Sequence, residues 1–266
     1  MELHEPIFKG NELKYIKKCF KDNLITFGTF INKFENAIKK YLKIKYAVSV
    51  INGTAALHIA LKLLGANSDT EVICPSITFI APVNSIIYNN ASPIFMDVDE
   101  KLNIDQEKTI NFIKKKKFFK KNFKYNKKTK KKIVCIIIVH VFGNAANISK
   151  LVAFCKKRNI KIIEDASESL GTKYLKSNLK NKFTGTIGEI NAISFNGNKI
   201  ITSGGGGMIL TNNFKHYKKA RYLINQAKDN SINYIHNDIG YNYRLSNLQA
   251  AIGLAQLEKI NFLLKK

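Results

Sequence analysis

The chain has 266 residues, 45% of them hydrophobic, enough to bury one large core or a large and a small domain. A formal net charge of +25 ordinarily points to nucleic acid or an anionic membrane. Only three of the 44 basic residues are arginines (Arg158, Arg221, Arg244), so the chain is poor in the forks that read a groove, and the charge reads as drift toward Lys, Ile and Asn.

The four cysteines (Cys19, Cys74, Cys135, Cys155) are scattered without a C-x-x-C pair, which predicts reduced thiols and no metal centre. No apolar run is long enough to cross a membrane, and the opening Met1-Glu2-Leu3-His4-Glu5 lacks the order of a signal peptide; a cytoplasmic protein is expected. Apolar residues at helical spacing over 11–20 and 31–42 (Ile31, Phe34, Ala37, Ile38, Tyr41) predict two amphipathic helices. Residues 46–51 read as a buried strand running straight into Asn52-Gly53-Thr54 and a helix over 55–64, closed by Gly65. Free N–H groups and the positive dipole end at Thr54 and Ala55 make an anion site, most naturally for phosphate; an ordinary N-cap threonine is the alternative.

A short strand over 71–74 follows, and Pro75 with Ser76-Ile77-Thr78-Phe79 starts a helix running to about Tyr88. Phe79 serves either to stack on an aromatic ring or to fill the core. A strand over 93–97 ends at Asp97 and Asp99, which read as solvated loop carboxylates. From 114 to 132 lysine dominates, interrupted by Phe118, Phe119, Phe123 and Tyr125. Such a strip can bind nucleic acid, but an exposed excursion that has drifted to lysine is the simpler reading. The continuous apolar run over 133–139 is typical of a central parallel strand covered on both faces, and His140 follows it. A helix over 148–157, a strand over 160–163 and Glu164-Asp165-Ala166-Ser167-Glu168 complete an alternation that predicts an α/β domain. Ligands gather beyond the carboxyl ends of such strands, where Thr54, His140 and Asp165 all fall.

Lys199 sits between the strand-like runs 192–195 and 208–210, beside the four glycines Gly204 to Gly207, which let backbone approach a bulky ligand closely. A lysine held and desolvated there is a nucleophile. Beyond it come a helix over 214–223, the compact segment Gly240-Tyr241-Asn242-Tyr243-Arg244, and one long amphipathic helix over 248–263. A phosphate turn, a stacking aromatic, a buried carboxylate and a lysine amine are together what pyridoxal phosphate needs. The glycine run lacks the strand and helix context of a dinucleotide site, and no GxxxxGK element surrounds Lys199.

The segments 52–57, 75–79, 164–166, 194–199, 204–207 and 240–244 resemble, in order and spacing, the DegT/DnrJ/EryC1/StrS family of nucleotide-sugar aminotransferases. Residues 4–12 and 196–199 are most similar to the branch making bacillosamine- and legionaminic-type amino sugars. The resemblance implies an aspartate aminotransferase-like, fold type I large domain with a mostly parallel central sheet between helices. It further implies a homodimer in which pyridoxal 5′-phosphate is joined to Lys199, which then shuttles the proton. Asp165 would hold the pyridinium nitrogen and Phe79 would stack on the ring. Gly53, Thr54 and Ala55 at the turn, with the Ser194 hydroxyl, would hold the phosphate, and Asn242 would reach the partner's. Glu168 would stand near the ring hydroxyl. The implied reaction moves the amine of L-glutamate to a 4-keto-6-deoxy nucleotide sugar of UDP-N-acetyl-4-amino type, for surface polysaccharide or glycan biosynthesis, without metal, nucleic acid or membrane. A lysine at 199 separates the chain from the family's dehydratases, which carry histidine there. By the same matching, 1–45 is an N-terminal helical segment and 46–245 the cofactor-binding domain. Residues 246–266 begin the connection to a C-terminal small domain that the chain is expected to lack. An impaired remnant acting only in binding or dimerisation is the alternative.

Overall fold

The computed structural model describes residues 5–115, 117–120, 123–230 and 232–266. Two amphipathic helices, α1 (Glu12–Lys21) and α2 (Thr29–Leu42), come first, and α2 buries Phe30, Phe34, Ile38 and Leu42 along one stripe. The alternating part follows as β1 (Tyr46–Val50), α3 (Gly53–Leu63), β2 (Thr70–Pro75), α4 (Ile80–Tyr88), β3 (Ser92–Met96) and α5 (Gln106–Lys115). Then come β4 (Lys117–Lys120), β5 (Phe123–Asn126), β6 (Lys132–Val139), α6 (Ser149–Lys157), β7 (Lys161–Asp165), β8 (Ile190–Ser194) and β9 (Gly207–Thr211). The chain continues through α7 (Phe214–Ile224), the short pair β10 (Lys228–Asn230) and β11 (Ile235–His236), α8 (Asn247–Glu258) and α9 (Ile260–Leu263).

The main sheet runs β1-β9-β8-β7-β6-β2-β3. Neighbours from β8 through β3 are parallel, whereas β9 is antiparallel to both β8 and β1. The carboxyl ends of β1, β6, β7 and β8 therefore open on one edge. Alternation along β6 divides its apolar run between two cores: Cys135, Ile137 and Val139 pack under α3 and α7, and Ile136 and Ile138 pack against α5 and α6. A third cluster joins α1, α2 and α8 to β1, β8 and β9, with Phe34 fully buried 4.9 Å from the Phe195 ring. The ranges 1–45 and 246–266 thus share one core with the sheet.

Three elements differ from the sequence reading. Residues 76–78 form a bend rather than a helix; α4 starts at Ile80, and Phe79 caps it in the β region. The predicted helix over 248–263 breaks at Lys259 into α8 and α9. The lysine-rich excursion contains the hairpin β4–β5, which meets β6 only at Tyr125 opposite Lys132. Within the excursion, residues 116, 121 and 122, and the side chains of Phe118, Phe119 and Phe123, lie outside the described residues, as does His4.

Candidate active site

A cavity of about 580 Å³ opens at the shared carboxyl edge of β1, β6, β7 and β8. Its walls include Gly53, Thr54, Phe79, His140, Asp165, Glu168, Ser194 and Lys199. They arrive from the ends of five strands, β1, β2, β6, β7 and β8, so the site is assembled by the sheet rather than by any one loop. Ala55 and Asn242 are not among the wall residues.

The β1–α3 turn is built by Asn52, the true N-cap of α3, which corrects the reading of Thr54 as a cap. Its Oδ1 accepts the Ala55 N–H at 2.7 Å. That N–H, expected from sequence to face a phosphate, is therefore engaged, whereas the N–H groups of Gly53 and Thr54 have no acceptor among the described residues. A Cβ at Gly53 would lie 2.9 Å from Ser194 Cβ, and only a bare backbone brings the amino end of α3 this close to the end of β8. Of the four glycines after Lys199, Gly207 serves the same turn: a Cβ there would fall 2.5 Å from the Asn52 carbonyl, and none of the four lines the cavity. The close approach that Gly207 permits is to Asn52 and not, as expected, to a ligand.

Lys199 follows the β8 end, its N–H bonded to the Asn196 carbonyl at 3.0 Å. Its side chain is 13% exposed, with Nζ 3.3 Å from Oε1 of Glu168 and 5.9 Å from the centroid of the Phe79 ring. Phe79 itself is 70% exposed, an aromatic face held at the cavity rim rather than in the core. Glu168 spans two elements, because its Oε2 accepts the N–H of Phe142 at 2.8 Å. Phe142 takes a left-handed conformation (φ 51°) in the loop after β6, a strained geometry for a bulky side chain at the site.

Asp165 ends β7, buried, its Oδ1 accepting the Ser167 N–H at 3.1 Å. Burial pushes its carboxyl above the ordinary value, although the Ser167 hydrogen bonds and the Lys199 charge pull the other way. Such a carboxylate, short of partners in a dry wall, is matched by a cationic ring N–H.

One residue earlier and on the opposite face, Glu164 is the anchor that sequence reading missed. Its Oε1 accepts from His140 Nε2 at 3.0 Å, from the Tyr174 hydroxyl at 2.6 Å and from the Gly185 N–H at 3.1 Å. Its Oε2 accepts from the N–H groups of Ile187 and Gly188. Burial would raise its pKa, but the His140, Tyr174 and Gly188 hydrogen bonds outweigh burial and hold it below the usual value. His140 Nδ1 accepts the Ala146 N–H at 3.1 Å, so the ring proton lies on Nε2. The hydrogen bonds thus fix the orientation of the His140 ring at the cavity wall. The only local hint was the adjacent pair of carboxylates on an alternating strand.

Asn242 stands on the extended stretch 240–244, which is pinned by Tyr241 N–H to Leu223 at 2.7 Å and by Ile51 N–H to Tyr243 at 2.8 Å. It is exposed and does not line this chain's cavity. The donors and acceptors fit pyridoxal 5′-phosphate: free N–H groups and a serine hydroxyl for a phosphate, a buried acid for a ring nitrogen, an aromatic face and one recessed amine. Among the described residues no helix is long and apolar enough to cross a membrane, and no three His, Cys, Asp or Glu side chains could jointly hold a metal ion.

Residues 6–266 match the model of the DegT/DnrJ/EryC1/StrS aminotransferase family, whose members depend on pyridoxal phosphate. The chain is 40% identical over 258 residues to a GDP-perosamine synthase of Escherichia coli, covering 97% of this chain and 65% of that protein. It is 30% identical over 258 residues to a UDP-4-amino-4,6-dideoxy-N-acetyl-beta-L-altrosamine transaminase of Campylobacter jejuni, covering 96% of this chain and 64% of the other. The fold superposes on Helicobacter pylori PseC, an aminotransferase involved in the biosynthesis of pseudoaminic acid, with a TM-score of 0.84 at 25% identity, over 98% of this chain and 66% of that one. The chain spans about 65% of the length of the Escherichia coli relative. With the family match running from residue 6 to residue 266 and the fold shared, the chain belongs to the DegT/DnrJ/EryC1/StrS aminotransferase family.

Proposed function

We propose that this chain carries the cofactor cavity of a pyridoxal phosphate-dependent aminotransferase. It would move the amino group of L-glutamate to a nucleotide-linked 4-keto-6-deoxy sugar. The observation that carries this reading is the convergence of Lys199, Asp165, Phe79 and the free N–H groups of Gly53 and Thr54 on one cavity. When bound, pyridoxal 5′-phosphate supplies an aldehyde that exchanges amines and a ring that takes up an electron pair. Asp165 holds a proton at the ring nitrogen, where its own exposure to water is too small to satisfy its charge. Gly53, Thr54 and Ser194 bind the phosphate, using the α3 dipole. Phe79 covers one face and keeps water from it. Lys199 Nζ would be the amine that holds the aldehyde and the base that moves the proton of the amino donor. Glu168 orients that amine while holding the Phe142 loop shut against it.

A homodimer accompanies this reading, in which Asn242, exposed and outside its own chain's cavity, would meet a partner's phosphate. Adding pyridoxal 5′-phosphate should produce a visible absorption band that Lys199→Ala abolishes, and L-glutamate should convert that band. GDP-linked and UDP-linked 4-keto-6-deoxy sugars, supplied separately, identify the carrier; the two named relatives favour one each. A band that forms but ignores L-glutamate would leave only binding. Asn242→Ala should weaken cofactor affinity in the assembled dimer, read by sedimentation alongside absorbance, and leave it untouched if the chain is monomeric.

A further inference from the structure

A second cavity, of about 440 Å³, lies between the amino end of α2, the carboxyl end of α7 and residues 244–245. Its walls include Phe27, Gly28, Glu35, Asn225 and two arginines, Arg221 and Arg244. It shares no wall residue with the Lys199 cavity. Two of the chain's three arginines thus meet in one place, in a sequence that meets its other basic needs with 41 lysines. Lysine supplies positive charge equally well. What it lacks is the planar fork that grips a carboxylate or phosphate through two parallel bonds. A drift toward lysine leaves arginine where the fork itself is used.

Arg221 is partly accounted for. Its Nη1 donates to Oε2 of Glu35 at 2.9 Å, and Oε1 of Glu35 accepts from the Ser49 N–H and hydroxyl, both at 2.9 Å. The rest of its guanidinium faces outward, the side chain being 42% exposed. Arg244 is not accounted for at all. Its guanidinium lies 4.6 Å from the centroid of the Phe27 ring, it has no ion-pair partner among the described residues, and its Nε is buried without an acceptor there. A buried donor left unpaired costs about 1–3 kcal/mol, more when it is charged. Glu35, the one carboxylate on these walls, is bonded to Arg221 and Ser49 and makes no ion pair with Arg244. The amino end of α2, a helix of 14 residues, adds its positive pole to the same walls.

We propose that this second cavity is a binding site for a small oxyanion, a carboxylate or a phosphate group, gripped by Arg244 and by the outward side of Arg221. The site stands independently of the cofactor reading.

Inorganic phosphate and glutarate, titrated separately into the full chain by calorimetry at constant ionic strength in chloride, test it. At least one should bind saturably, about tenfold or more weakly in Arg244→Lys, which keeps the charge and removes the fork, and equally well in Arg158→Lys, the same change at an exposed arginine outside both cavities. Phosphate alone binding identifies a phosphoryl ligand, and glutarate alone a carboxylate. A second measurement needs no variant: phenylglyoxal labelling, mapped by mass spectrometry, should be slowed by the anion at Arg221 and Arg244 but not at exposed Arg158. The proposal fails if neither anion binds, if Arg244→Lys binds as the natural chain does, if Arg158→Lys loses binding as much as Arg244→Lys, or if the anion protects Arg158 equally.

Discussion

At the scale of single residues, two neighbouring acids on β7 do opposite work. Glu164 is buried and surrounded by donors, so its negative charge is what the loop at 185–188, His140 and Tyr174 fold around. Glu164→Gln puts an NH2 group against donors on one side and should cost about 3 kcal/mol or more in urea unfolding. Asp165 carries the reverse sign. Its folded carboxyl holds a proton more tightly than the unfolded one, so its ionisation subtracts stability as the pH rises from 3.8 through the raised value. Without cofactor, Asp165→Asn should therefore unfold at higher urea than the natural chain at neutral pH, while binding pyridoxal 5′-phosphate more weakly. Lys199, Asp165 and Thr54 were legible because each follows a recognisable strand directly. Glu164 was not, since its partners come from positions 140, 174 and 185–188 and only the folded sheet brings them together. The glycines after Lys199 were seen but misassigned, because none of them lines the cavity and the tight contact of Gly207 is with Asn52, far back in the chain.

At the scale of elements, α8 is tied to the α1–α2 region by one amide. Asn247 is buried, accepts the Phe30 N–H at 3.0 Å and donates to the Leu24 carbonyl at 2.6 Å. Removing it in Asn247→Ala leaves both groups unpaired and should destabilise by about 1–3 kcal/mol, measured by chemical denaturation. The apolar period announced both helices, but nothing in their sequences announced this stitch. The break at Lys259 was hidden for a similar reason, as the apolar period runs on across it. The bend before α4 went unread because Pro75 and the residues after it suit a helix start as well as a loop, and Phe79 is drawn to the cavity rim by the cap geometry at that junction.

At the scale of the whole molecule, acid should weaken the fold through His58. Its ring is enclosed by Tyr88, Tyr241 and Tyr243, joining α3 to α4 and to the stretch carrying Asn242. Burial, aided by the charge of Lys62, lowers its pKa from 6.5 to about 4. Between those values the unfolded chain takes up a proton that the folded chain refuses, so stability should fall as pH is lowered across that window. Urea midpoints followed through it should flatten in His58→Gln. The mostly parallel α/β sheet was foreshadowed by the alternation of elements, whereas the strand order and the antiparallel β9, which brings the chain back past Lys199, were not, since neither order nor direction leaves a mark in an apolar run.

The hairpin β4–β5 touches the sheet only where β6 begins, roughly 23 Å along that strand from the cavity at its other end. The exposed turn at 127–131 is therefore a place where a fluorescent tag or an affinity handle can be spliced in while the chemistry proceeds undisturbed.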